Sequence, residues 1–176
     1  MRLSRSNPNT EAPPKSTAQT LPAISDVAKA DWNGLQPARG ESGYYPFTDW
    51  DFLHALEVSG CVGAQTGWQV AHLWLENGQG CAPLYVKSHS MGEYVFDHAW
   101  ADGAARAGIN YYPKLLCAVP FTPVTGPRLI AENDDAEAEM ALANGLIDLC
   151  VNNGLSSVHV NFAAKDQAER LAEYGF

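Results

Sequence analysis

The apolar run LLCAVPF (residues 115–121) leads into the acidic, helix-patterned DDAEAEMALANGLIDLCVNNG and then SSVHVNF, and no other feature restricts the fold more. Two short apolar strands separated by one long helix need a crossover, and a crossover brings the second strand back parallel to the first. The helix reading rests on carboxylates at its start, where they favour the dipole. It rests also on apolar Met140, Leu142, Ile147 and Leu149, and on the stop signal Asn152-Asn153-Gly154. A unit of this kind belongs to the α+β (α/β) classes, with helices on the faces of a mixed sheet.

The flanking segments extend that frame. ISDVAKADWNGL spaces Ile24, Val27, Ala28, Trp32 and Leu35 as a short helix with Ser25 as N-cap, and WDFLHALEVSG reads as a second helix capped by Thr48 or Asp49 and ended by Gly60. WQVAHLWLE and CAPLYVK around NGQG read as two strands of a hairpin. After SMG, a second turn, EYVFD reads as a further strand, DHAWADGAARAG as a helix up to Gly108, TPVTGPR as a loop and KDQAERLAEYGF as a last helix. Residues 1–22, rich in Ser, Pro, Thr and Asn, lack the apolar side chains that offset the entropy of ordering and are expected to form a flexible tail before one domain at 23–176.

Composition narrows the function. With 176 residues, 46% of them hydrophobic, the chain can bury one domain core. A formal charge of −9 argues against nucleic acid, tRNA included, and against anionic lipid, so the expected partner is a small molecule or a peptide acceptor. No apolar run reaches the roughly 20 residues that cross a bilayer, and the start has no signal-peptide core, so a cytoplasmic location and no membrane insertion are expected. Cys61, Cys81, Cys117 and Cys150 are widely spaced and read as buried thiols. Nucleophile-elbow, phosphate-loop, zinc-protease and dinucleotide motifs are absent from the sequence, and Ser88, His89 and Ser90 are strand neighbours that point to opposite faces.

Chemistry-bearing side chains concentrate in KSHSMGEYVFDHAW, residues 87–100. Glu93 is the candidate general base toward an amine, with His89 sharing the task, because a partly buried carboxyl or imidazole can exchange a proton near neutral pH. Asp97 reads as the cap of the following helix, Tyr94, Phe96 and Trp100 as core, and Tyr111 and Tyr112 with Lys114 as packing at the entry to the next strand. His54, His72 and His159 read as structural. Lys87, His89, Glu93, Tyr112 and Arg128 are expected to converge on one cleft.

The stretch KSHSMGEYVFDHAWADGAARAGINYYPKLLCAVPFTPVTGPRL, with FTDWDFLHALEVSGCVGAQTGWQVAHLWL before it, resembles the bacterial FemAB-like predicted N-acyltransferases of peptidoglycan biosynthesis/recognition, within the GNAT superfamily. The motifs that carry the resemblance are K-S-H-S-x-G-E-[YF]-V-F-D, Y-Y-P-K and V-P-F-T-P-V-T-G-P-R. It implies transfer of an acyl or aminoacyl group to an amine of a peptide or peptidoglycan-type acceptor; for such a reaction Glu93 and His89 are the expected catalytic residues, and Lys87, Tyr112, Lys114 and Thr122 are expected to hold substrate. The alternative is a non-catalytic recognition half. It implies no tightly held cofactor and no metal, with acyl-coenzyme A as a donor whose pyrophosphate would meet Thr125, Gly126 and Arg128 in the loop 122–128. Here that loop departs from the glycine-rich form: Pro123 and Pro127 have no N–H to donate, and DDAEAE sets carboxylates before the helix. The resemblance further implies a chain about twice this length made of two GNAT-like halves. This chain is then the first half, with its closing strands missing and an open sheet edge suited to self-association.

Overall fold

The computed structural model describes residues 17–176. It is a mixed α+β structure with two four-stranded sheets where one mixed sheet was expected. The strands are β1 (Ala18–Leu21), β2 (Trp68–Val70), β3 (His72–Leu75), β4 (Gly80–Ala82), β5 (Leu84–Lys87), β6 (Lys114–Cys117), β7 (Ile130–Ala131) and β8 (Val158–Val160). The helices are α1 (Lys29–Asn33), α2 (Trp50–Val58), α3 (His98–Arg106), α4 (Ala136–Asn152) and α5 (Lys165–Glu173). The first sheet runs β1-β3-β4-β7 and the second β2-β5-β6-β8.

The expected hairpin is present, but it serves both sheets. β3 pairs with β4 in the first, while the outer ends of the same two segments, β2 and β5, pair in the second. The break falls at Ala71 and Pro83. Pro83 has no N–H for a ladder, and the next free amide, that of Leu84, donates to the His72 Nδ1 at 3.1 Å. The crossover behaves as expected: β6 and β8 are parallel, with Leu115, Leu116 and Cys117 opposite Val158, His159 and Val160.

One face of each sheet rests on α4. Leu73, Leu75 and Ala82 from the first sheet and Leu84, Leu115 and Cys117 from the second share a core with Leu142, Ala143 and Leu146 of α4 and Leu171 of α5. Asp135 caps α4 by accepting the amides of Glu137 and Ala138. The far face of the first sheet, with Leu21, Trp74, Cys81 and Ile130, is covered by Ile24, Trp32 and Leu53 from the region of α1 and α2. Asp49 caps α2 as expected.

Several elements differ from the sequence reading. Residues 18–21, placed in the tail, form β1 because β3 offers them a full antiparallel register; residues 1–16 of that tail lie outside the described residues. The 24–35 helix is broken into a 3₁₀ turn at Ile24–Asp26 and α1, with Ser25 capping neither. EYVFD is not a strand: Tyr94 takes a φ of 57°, which breaks any extended run. Cys61 is exposed, and the other three cysteines are buried.

Candidate functional site

The far face of the second sheet is set by its register. Trp68 of β2 stands opposite Lys87 of β5, and Lys87 opposite Lys114 of β6, so three large side chains form one row across the sheet. Residues two apart share a face, which adds Val70, Tyr85, Leu116 and His159 to it. Two lysines side by side on a buried face require counter-charges. The covering segment 88–97 supplies them: Lys114 Nζ donates to Glu93 Oε2 at 2.9 Å, Asp97 Oδ2 at 2.7 Å and Ser90 Oγ at 3.3 Å.

Aromatic groups close the set. Tyr111 donates to Asp97 Oδ2 at 2.9 Å, and the Ser90 and Tyr112 hydroxyls are hydrogen-bonded. Lys87 Nζ sits 3.6 Å from the centre of the Trp68 ring and donates to the Met91 carbonyl at 3.3 Å, which also accepts from Trp68 Nε1. Both lysines are almost fully buried, as are Glu93 at 4% and Asp97 at 6% exposure. Glu93 Oε1 and Asp97 Oδ1 have no hydrogen-bond partner among the described residues. A carboxylate oxygen buried without a protein donor is costly unless a proton, a water or a ligand meets it.

The electrostatics separate the four charges into two pairs. Burial acts to raise the pKa of Asp97, but hydrogen bonds from Lys114, Ser90 and Tyr111 outweigh it and hold the carboxyl at about 2. Burial likewise acts to lower Lys114, and the bonds to Asp97 and Glu93 reverse this, so its pKa is raised. This is a fixed ion pair. Lys87 and Glu93 shift the other way: burial lowers Lys87 to about 8, with Lys114 adding to the effect and Glu93 opposing it, and burial raises Glu93 despite Lys114. His159, beside Tyr111, is lowered by burial and by the Lys114 charge.

Outside this cluster lies a surface groove of about 450 Å³ lined by Ala101, Ala105 and residues 108–112, the last two being Tyr111 and Tyr112. Those tyrosines are both a wall of the groove and a lid on the charges.

Of the five residues expected in one cleft, Lys87, Glu93 and Tyr112 meet in a buried cluster that is not a cleft, and His89 and Arg128 stand apart from it. Lys87, Glu93, Tyr112 and Lys114 come together, with Lys114 at the centre where packing had been expected. Ser90, Asp97 and Tyr111 complete the set, and sequence reasoning missed them as site residues. The one available signal was their density beside two lysines in the Y-Y-P-K and K-S-H-S runs. His89 is not bonded to Glu93; its Nδ1 accepts the Met91 amide at 3.2 Å, and its ring packs on Gly67. Arg128 is a correction. Its guanidinium is buried and donates to the carbonyls of Asn161, Pro127 and Val124, bracing the loop it was expected to arm. Asp97 holds the N-cap position of α3 but makes no cap bond, because its carboxylate faces Lys114. Phe96 and Trp100 are not core: they are 85% and 75% exposed, and Tyr94 is exposed too. His72 is buried and bonded to Glu57 and the Leu84 amide, in keeping with a structural role.

The 122–128 loop does not fit a pyrophosphate. Thr122 Oγ1 donates to Pro120 O, the Gly126 amide is bonded to Phe162 O and packed under Tyr45, and Thr125 is exposed. β7 and a 3₁₀ turn separate the loop from α4, whose first free amides Asp135 already takes.

Fold and site together define a mixed α+β protein that carries a buried, lysine-carboxylate site under a covering loop. The chain belongs to the FemAB-like family, described as peptidoglycan biosynthesis/recognition, whose model matches residues 23–176. Neither a curated protein nor a solved structure gives a significant match. No helix among the described residues is long and apolar enough to cross a membrane.

Proposed function

We propose that the chain joins an acyl or aminoacyl group to a primary amine of a peptide or glycan-linked peptide lying in the groove beside Tyr111 and Tyr112. The family supports a peptidoglycan-related substrate. The observation that carries the reaction type is Glu93 Oε1, a buried carboxylate oxygen with no donor, next to an ammonium that holds the other oxygen in place. An amine must lose a proton as it attacks a carbonyl carbon, and a carboxyl whose pKa is raised by burial is suited to take it. The donor is an acyl ester or thioester; if it is acyl-coenzyme A, its pyrophosphate rests elsewhere than on residues 122–128.

Mass spectrometry of the chain incubated with an acyl thioester and a peptide bearing a free side-chain amine tests this. An amide product is expected, reduced about 100-fold or more in Glu93→Gln. The competing reading, recognition without chemistry, draws on the closure of the cluster by the Ser90–Tyr112 contact. Peptide binding with no product from any donor would favour it and overturn the transfer reading.

A further inference from the structure

Two lysines occupy adjacent positions in one row, yet their bonding differs. An ammonium has three protons to donate. Lys114 places all three, on Glu93, Asp97 and Ser90, and is thereby locked. Lys87 places one, on the Met91 carbonyl, and otherwise faces the Trp68 ring. Glu93 mirrors it from the other side, with Oε2 bound to Lys114 and Oε1 unpartnered. Spare donors and a spare acceptor therefore remain on one lysine and one carboxylate within the same buried cluster.

We propose that Lys87 is the proton donor to the leaving group, paired with Glu93 as proton acceptor, while Lys114 and Asp97 form the fixed electrostatic frame that holds the two apart in role. The proposal rests on the acyl-transfer reading and adds a catalytic residue to it. In balanced form, the amine nitrogen bonds to the donor's carbonyl carbon and the carbon–sulfur or carbon–oxygen bond breaks. Glu93 takes the proton the amine loses, and the Lys87 ammonium gives a proton to the departing thiolate or alkoxide. Loss of the proton from the Glu93 carboxyl to solvent and return of one from solvent to the Lys87 amine then restore the starting state.

The charges around Lys87 fit that duty. Glu93 on the covering loop opposes its loss of a proton and Lys114 on β6 promotes it, while Asp97 holds the charge on Lys114, which in turn lowers His159. A lysine lowered to about 8 is still largely protonated at neutral pH but yields its proton far more readily than an exposed one. Burial moves the two proton affinities toward each other, Lys87 down and Glu93 up. The segment over Lys87 is the part of the structure that a donor would have to displace to reach it. The Met91 carbonyl caps Lys87, and Met91 is followed by Gly92 at φ 81°, where any Cβ would strike the Phe121 ring at 2.5 Å, and by Tyr94 at φ 57°. These positions fix the path of the loop closely against Phe121 and Trp68 beside the lysine.

Two measurements test the proposal. The first compares donors by leaving group, using Lys87→Met with an alkyl thioester and with a nitrophenyl ester, whose leaving group departs without a proton. Loss of about 100-fold or more on the thioester with little loss on the nitrophenyl ester is expected. Equal losses on both, or none on either, would overturn the role of Lys87 while leaving the transfer reading intact. A wild-type chain that acylates no amine with either donor would overturn both. The second measurement needs no turnover: an NMR pH titration of the lysine Nζ resonances in the wild-type chain and in Glu93→Gln. Lys87 should titrate near 8, and lower still in Glu93→Gln. Titration at an ordinary lysine value, or no response to the substitution, would rule out the pair.

Discussion

The two faces of the second sheet are built from the same strands and are opposite in kind. Toward α4, Leu84, Val86, Leu115, Cys117, Val158 and Val160 make a dry, aliphatic surface that any close-packed helix can cover. On the other side, Lys87 and Lys114 stand in the middle of the sheet, and no helix could cover them without leaving charges unmatched. The cover there is a loop turned inside out. Ser90, Glu93 and Asp97 face inward and are buried, while Met91, Tyr94, Val95 and Phe96 face solvent. Aliphatic packing tolerates many sequences of similar volume; a matched set of charges does not. The first face holds the fold together, and the second gives up easy stability to place chemistry at a fixed point.

The contrast is most easily broken at Lys114. Lys114→Met leaves Glu93 and Asp97 buried without their cation and should cost about 3–5 kcal/mol in chemical denaturation. If the added Glu93→Gln and Asp97→Asn substitutions recover much of that loss, the cost lies in unmatched charge rather than in lost packing. A loss below about 0.5 kcal/mol for Lys114→Met, as at an ordinary surface site, would mean the charges are not buried as described. On the aliphatic face Leu115→Ala should cost about 2–4 kcal/mol through the cavity it leaves, with no dependence on pH.

The pH dependence sharpens the comparison, because only one face titrates. Lys87 has a folded pKa lowered to about 8 from 10.5, so between those values the unfolded chain binds the extra proton. Its contribution to stability therefore rises as pH climbs from about 8 to about 10.5. The wild type should gain on the order of 2 kcal/mol over Lys87→Met across that window. Asp97 acts at the other end: its folded pKa is depressed to about 2, so its stabilisation is present above the unfolded value and is lost as pH falls toward 2. Asp97→Asn should flatten that acid limb in a thermal-melt series. The smallest effect is expected at Phe96→Ser, below about 0.5 kcal/mol, since an apolar side chain that is 85% exposed contributes little to folding.

What could be read from the sequence follows the same division. Local signals sufficed for the Asp49 cap of α2, for α4 with its acidic start, and for the crossover that makes β6 and β8 parallel. Each depends on residues close in the chain. The covering loop could not be read that way. EYVFD alternates as a strand does, and only Lys114, 21 residues after Glu93, explains why its polar positions point inward and Asp97 abandons its cap. β1 escaped notice for a related reason: AQTL has little apolar content, and its order comes from pairing with β3 more than 50 residues away. Arg128 misled because a cation beside a glycine suggests an anion, whereas burial had already committed it to three carbonyls.

The hairpin that changes sheets at Ala71 and Pro83 has a mechanical consequence. Its two segments are common beams: β3 and β4 sit in the first sheet, and their continuations β2 and β5 carry Trp68 and Lys87 into the row that forms the site. The first sheet, clamped between α4 and the region of α1 and α2, cannot slip in register without dragging Lys87 along its axis. Amide exchange should show it: the Ala71, Leu73 and Leu84 amides should open together, as one cooperative unit, and not as two sheets that breathe at different rates.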